Sequence, residues 1–223
     1  MDTQALDQQL AVLTAAKHRW AQLALRDKIG YLRAALAGTV RVAEAQVAAA
    51  CAAKGIPMDS PQGAEEWFGG PIAQARVLRL LLRTLTQIAR HGAPRLPGRC
   101  IRQRLSGALA AQVFPVDLVD RLLYRGFRAE VWMPAGITRE EMLANMASAY
   151  RHTAPAGRLA LVLGAGNVAS IGSLDAVHKL FAEGQVVLLK LHEVNEYLGP
   201  FIEEAFADLM RDGYLRTAYG GAQ

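Results

Sequence analysis

The sequence predicts an α/β protein in which a helical N-terminal segment leads into part of a Rossmann-like parallel sheet. Three observations carry this. Residues 5–53 keep apolar positions at helical spacing almost throughout. Residues 157–221 alternate short, fully apolar runs with helical stretches, the pattern of strands buried on both faces. The first of those runs ends in Gly164-Ala165-Gly166-Asn167, a glycine-rich turn between a strand and a helix.

Each element follows in order. Ala24, Ile29, Leu32, Leu36 and Val40 mark one apolar stripe; Asp27 is placed to cap a helix start, and Gly55-Ile56-Pro57 ends the region. A further helix is expected from about 62 to 90, interrupted near Phe68-Gly69-Gly70-Pro71. It turns Leu78, Leu81, Leu82, Leu85 and Ile88 inward and stacks Arg76, Arg79 and Arg83 on one outer face. After His91, glycines and prolines punctuate short apolar pieces, and 108–114 and 127–133 read as strands. Thr138 and Glu141 form a capping box that opens a helix to about 150. From Gly157 the chain reads as strand 159–163, helix 174–182, strand 186–189, helix 197–210 and strand 214–219. The organisation expected is a helical opening segment (1–91), an irregular β/α region (92–156) and a βαβαβ dinucleotide-binding unit (157–223). That last unit reads as truncated, with an unpaired strand edge near 214–219.

The composition bounds the partners. Apolar residues make up 52% of the 223 and charged residues 20%, a globular balance. No apolar run reaches the roughly 18–20 residues of a membrane span, and no secretory signal opens the chain. The two cysteines, Cys51 and Cys100, make no disulfide framework, so a reducing cytoplasm and no membrane partner are the expectation. The net charge of +5 is local: residues 67–116 hold eight arginines and no carboxylate, leaving 17 basic against 20 acidic residues elsewhere. Such a segment attracts nucleic acid or phosphate, or pairs with acidic elements of the fold; lacking interleaved aromatics and any nucleic-acid motif, it favours the second.

The chemistry concentrates at the end of the chain. Gly164 through Ala169 fits the G-x-G-x-x-G/A pattern, in which glycines let the backbone approach a pyrophosphate; a merely structural turn is the alternative. Lys190 ends the second strand, where a lysine can donate to ribose hydroxyls or phosphate. Glu193 stands where a carboxylate would hold a ribose; equally, it is a helix N-terminal glutamate placed by the dipole. His18, His91, His152, His178 and His192 show no metal-pair spacing, and Glu140-Glu141 and Glu203-Glu204 read as solvated helix positions.

The stretch Gly184-Gln185-Val186-Val187-Leu188-Leu189-Lys190-Leu191-His192-Glu193 resembles the "G-N-x-V-V-L-K-P-S-E" segment of the aldehyde dehydrogenase superfamily. Asn167 stands where that family's "P-W-N-F-P" loop has its Asn, and Gly199-Pro200 through Tyr219-Gly220-Gly221 is similar to the helix, strand and "G-G" that follow. Residues 157–221 carry the specific resemblance, residues 10–90 a looser one, and residues 91–156 match poorly. Gly164-Ala165-Gly166-Asn167-Val168 in place of Pro-Trp-Asn resembles the acyl-CoA reductase branch, and Leu191-His192 replaces Pro-Ser.

The resemblance implies NAD(P)-dependent interconversion of an aldehyde with an acid or acyl thioester. In it Lys190 and Glu193 would contact the adenosine ribose, with Gly164, Gly166, Gly220 and Gly221 around the cofactor and Asn167 stabilising the oxyanion. Glu193 favours NAD over NADP, since a carboxylate repels a 2′-phosphate. The family's nucleophilic Cys has no counterpart here, so the chain by itself is expected to be inactive, and its full-length parent to be a homo-oligomer. Two rivals stand beside this reading: a non-catalytic nucleotide- or nucleic-acid-binding module using the arginine segment, and a conventional Rossmann oxidoreductase.

Overall fold

The computed structural model describes residues 3–151 and 156–221; His152, among the histidines read above, lies outside them. Two long helices open the chain, α1 (Thr3–Gln22) and α2 (Leu25–Lys54). Non-helical Ala24 is the N-cap of α2, so Asp27 does not cap; it sits in the first turn, where its charge complements the helix dipole. At the far end Gly55 takes a left-handed φ of 65°, and the N–H groups of Gly55 and Ile56 close onto the carbonyls of Ala52 and Cys51. Helix α3 (Pro61–Trp67) starts from Ser60, whose Oγ accepts the Gly63 N–H at 3.1 Å. The interruption expected at Phe68-Gly69-Gly70-Pro71 is a π-helical turn, Phe68–Ile72, with Gly70 outside helical geometry. Helix α4 (Ala73–His91) buries Gln74, Leu78, Leu85 and Ile88, while Leu81 and Leu82, expected inward, are only half-buried.

Residues 91–148 form a compact unit of their own. It contains β1 (Ile101–Gln103), β2 (Leu109–Phe114), α5 (Leu118–Leu123), β3 (Ala129–Trp132) and α6 (Arg139–Asn145). The strands pair antiparallel in the order β1-β2-β3, placing Arg102 opposite Ala110 and Ala110 opposite Trp132. On that face Glu130 receives Arg102, Arg128 at 3.1 Å and Arg104 at 3.9 Å, so part of the arginine-rich segment is neutralised within the fold. The Thr138–Glu141 capping box is complete, but α6 stops at Asn145 rather than near 150. Met146 is extended and Ala147 takes a φ of 55°, which no helix continues through.

The remaining elements are β4 (Arg158–Leu163), α7 (Ile171–Phe181), β5 (Gln185–Lys190), a 3₁₀ stretch at Glu193–Leu198, α8 (Gly199–Ala205), α9 (Ala207–Arg211) and β6 (Leu215–Ala218). All three strands run parallel in the order β4-β5-β6, and β6 is an outer strand, as expected. Helix α7 begins three residues earlier than its apolar spacing suggested. The helix expected over 197–210 is divided, because Phe206 leaves helical geometry between α8 and α9.

Strand β5 is buried from Gln185 to Leu189 with no alternation, so both its faces are covered. Gly172 of α7 lies against Leu189 on one face, and α1 runs along all three strands. Fully buried Trp20 fastens α1 to the sheet unit: its Nε1–H donates to the Leu180 carbonyl at 3.1 Å. Its ring meets Tyr31, Phe181 and Tyr214 at centroid distances of 5.8, 5.4 and 4.8 Å. Helix α2 in turn approaches α8 so closely that a Cβ on Gly38 would stand 2.3 Å from the Ala205 carbonyl oxygen. The residues through Arg90 and those from Ala149 onward therefore make one compact unit, not an opening segment beside a separate dinucleotide-binding unit.

Candidate functional site

The register of the parallel sheet levels its carboxyl edge: Leu163, Lys190 and Ala218 stand side by side at the ends of β4, β5 and β6. In open α/β sheets ligands bind outside this edge. Six of the seven residues singled out from the sequence gather there in three contacts. The Gly164 N–H donates to the Lys190 carbonyl at 2.8 Å, locking the glycine loop to β5. Gly166 lies under the His192 ring; a Cβ there would be 2.9 Å from His192 Nδ1 and 3.0 Å from Val194 Cγ2. Gly221 lies against Glu193, whose Oε2 would be 2.3 Å from a Cβ at that position. Gly220, with a φ of 105°, donates its N–H to Glu196 Oε1. Asn167, the seventh, is exposed on the loop.

These contacts give the glycines reasons of their own. Gly166 is small because an imidazole occupies the space above it, and Gly221 because a carboxylate does. The third close-packing position of a dinucleotide fingerprint is filled by Gly172, whose Cβ would meet Gly164 Cα at 3.3 Å; Ala169, at the expected spacing, is simply buried. The helix after the loop starts at Ile171, five residues past Gly166, and the Ser170 N–H is already taken by the Gly69 carbonyl at 3.1 Å. A pyrophosphate seated directly on that helix terminus, as in a conventional fingerprint, therefore finds its first donor engaged.

What remains open at the edge is polar. Glu193 is exposed and Lys190 half-buried. His192 Nδ1 accepts the Val194 N–H at 3.3 Å, which leaves Nε2 to carry the ring proton and point a donor elsewhere. Glu203, read as solvated, instead accepts the Thr217 hydroxyl at 2.5 Å and the Tyr219 hydroxyl at 2.6 Å. Burial, reinforced by Glu203, pushes the Tyr219 phenol well above its ordinary range.

Three contributors escaped the sequence. Buried Asn195 donates from Nδ2 to the Ala165 carbonyl at 2.9 Å and so holds the crest of the loop. Glu196 fixes Gly220. The π-helical turn supports the loop from below, through Gly69 to Ser170 and through Val168, whose Cγ1 would be 3.3 Å from a Cβ on Gly69. Behind it Ser173 Oγ donates to Gln74 Oε1 at 2.6 Å, and Gln74 Nε2 donates to Thr39 Oγ1 at 2.8 Å. Only Glu196 had a signal, its four-residue spacing from His192 over the strand end. Asn195 and Gly69 act across sequence separations of 30 and about 100 residues that no local pattern records.

Neither cysteine is placed for nucleophilic work at this edge: Cys51 is buried on α2, and Cys100 belongs to the unit of residues 91–148. Among the described residues no group of three or more His, Cys, Asp or Glu could hold a metal ion. The larger of two surface grooves, about 630 Å³, lies not over the glycine loop but along β6. Leu6, Val12, Glu203, Met210, Arg216 and Tyr219 are among its lining residues. Comparison of the chain with protein-family models, with curated proteins and with solved structures gave no match.

Proposed function

We propose that the carboxyl edge of this parallel sheet binds the adenosine ribose of NAD, as part of an aldehyde-dehydrogenase-like oxidoreductase that interconverts an aldehyde with an acid or acyl thioester. The observation that carries the reading is the convergence of Gly164, Lys190, Glu193 and Gly221 on the level ends of three parallel strands. The fit is to the ribose: a half-buried ammonium and an exposed carboxylate offer a donor and an acceptor to vicinal hydroxyls. The engaged Ser170 N–H favours this over a conventional Rossmann oxidoreductase, whose pyrophosphate sits on the first helix terminus.

When bound, the nicotinamide would supply the hydride acceptor. The chain's own residues hold and orient. Lys190 donates to a ribose oxygen, Glu193 accepts from a ribose hydroxyl and repels a 2′-phosphate, and exposed Asn167 offers its amide to a developing oxyanion. With Cys51 buried and Cys100 in the other unit, this chain turns over no aldehyde by itself.

The test is calorimetric titration of the full chain with NAD and with NADP, alongside Lys190→Ala and Glu193→Ala. The expected result is saturable NAD binding that weakens about ten-fold or more in each variant, as loss of a charge-assisted hydrogen bond of about 1.5–3 kcal/mol requires. NADP should gain on NAD in Glu193→Ala. No NAD binding by a chain whose circular dichroism shows it folded refutes the reading. So does aldehyde oxidation abolished by Cys51→Ser or Cys100→Ser.

A further inference from the structure

Helix α5, in the unit of residues 91–148, is folded with its polarity reversed. Its one buried residue is Asp120, 2% exposed, whose Oδ2 accepts the Val116 N–H at 2.8 Å. Its four aliphatic residues face out: Leu118 is 78% exposed, Val119 62%, Leu122 68% and Leu123 68%. At 100° per residue these four span an arc of roughly 140° on one side of the helix. The chain then turns, through Tyr124 N–H to the Asp120 carbonyl and Phe127 N–H to the Tyr124 carbonyl, and presents Phe127 at 71% exposure. Exposed Arg121 and Arg125 alternate with these residues, and neither holds an ion pair among the described residues. A buried carboxylate and five exposed large apolar side chains within ten residues are the opposite of what water alone selects.

We infer that residues 118–127 form a surface-seeking element that lies in the headgroup region of an anionic phospholipid bilayer. The apolar arc enters the acyl boundary, and Arg121 and Arg125 stay at the level of the lipid phosphates, their aliphatic stems along the apolar layer. This differs from spanning, for which no described helix is long and apolar enough. Charge and size choose this occupant. A second copy docking through the same patch would engage a handful of residues a side, where a stable protein interface uses about 20–30. A nucleic acid would meet the arginines but leave four aliphatic side chains against polar backbone, with Phe127 alone to stack. An anionic bilayer satisfies both halves of the pattern, and each arginine near its surface strengthens binding about five-fold. The proposal is independent of the nucleotide reading, which concerns the other unit.

The experiment is co-sedimentation of the full chain with vesicles of phosphatidylcholine alone and of phosphatidylcholine with about one-third phosphatidylglycerol, at two salt concentrations. The variants are Leu122→Glu/Leu123→Glu and Arg121→Gln/Arg125→Gln, each checked for unchanged circular dichroism. Both pairs are exposed, so neither pair supports the fold. The expected result is salt-sensitive partitioning onto the anionic vesicles only. It should fall about 100-fold or more in the Leu pair, and roughly 25-fold in the Arg pair, the product of two five-fold losses. No partitioning by the folded parent overturns the inference, as does partitioning that the Leu pair retains. A concentration-dependent dimer or an RNA complex that the same variants dissolve, with vesicles unbound, assigns the patch to another partner and overturns it equally.

Discussion

Lys28 lies in the first turn of α2 with only 4% of its surface exposed. Its ammonium sits 5.2 Å from the ring centre of Trp20 and 5.3 Å from that of Tyr150, and no ion pair to it occurs among the described residues. Burial lowers its pKa from the ordinary 10.5 to about 8. A lysine depressed in the folded state weakens folding wherever both states are charged. The penalty is therefore full below pH 8, shrinks as pH rises from about 8, and is gone near 10.5. The gap corresponds to about 3 kcal/mol at pH 7, at about 1.4 kcal/mol per pH unit. Tyr150 and Tyr31 act in the opposite sense. Burial raises both phenols, so the folded state keeps protons that the unfolded chain loses, and stability falls only above the ordinary value of 10. Urea unfolding followed by circular dichroism between pH 7 and 9.5 should thus show stability rising by about 2 kcal/mol. Lys28→Met keeps the volume and removes the charge. It forfeits two cation–π contacts of about 0.5–1 kcal/mol each, so at pH 7 it should gain about 1–2 kcal/mol and some 3–6 °C in Tm. Its pH slope over this window should flatten. A variant less stable than its parent at pH 7, or one with the parent's slope, refutes the burial argument.

Two substitutions test the close approaches. Gly38→Ala places a Cβ 2.3 Å from the rigid Ala205 carbonyl and must separate α2 from α8. It should cost about 1–3 kcal/mol in urea unfolding despite the better helix propensity of alanine, and a neutral result removes that packing contact from the account. Gly221→Ala meets only the movable end of Glu193, 2.3 Å away. Its stability should stay within about 0.5 kcal/mol while NAD affinity in the calorimeter falls several-fold; unchanged affinity would separate Glu193 from the site.

The sequence by itself determined the parallel strands, because β5 is apolar at every position from Val186 to Leu189 and such a run is stable only with both faces covered. It determined the Thr138–Glu141 cap and the break after Lys54, whose hydrogen bonds close within four residues. The glycine loop and Lys190 were legible as neighbours because parallel register brings successive strand ends together. Tertiary structure decided what those glycines face. The His192 ring over Gly166 and the Glu193 carboxylate against Gly221 depend on how the 3₁₀ stretch folds back across the sheet edge. It alone decided that α1 belongs with the sheet, since Trp20 reaches the Leu180 carbonyl across 160 residues. And it alone turned α5 outward. The 118–123 sequence fits a buried amphipathic helix equally well, and only the hydrogen bond from Val116 to Asp120 commits its polar side to the interior. Local periodicity fixes what an element is; which face it buries depends on distant partners, whose identity no local spacing encodes.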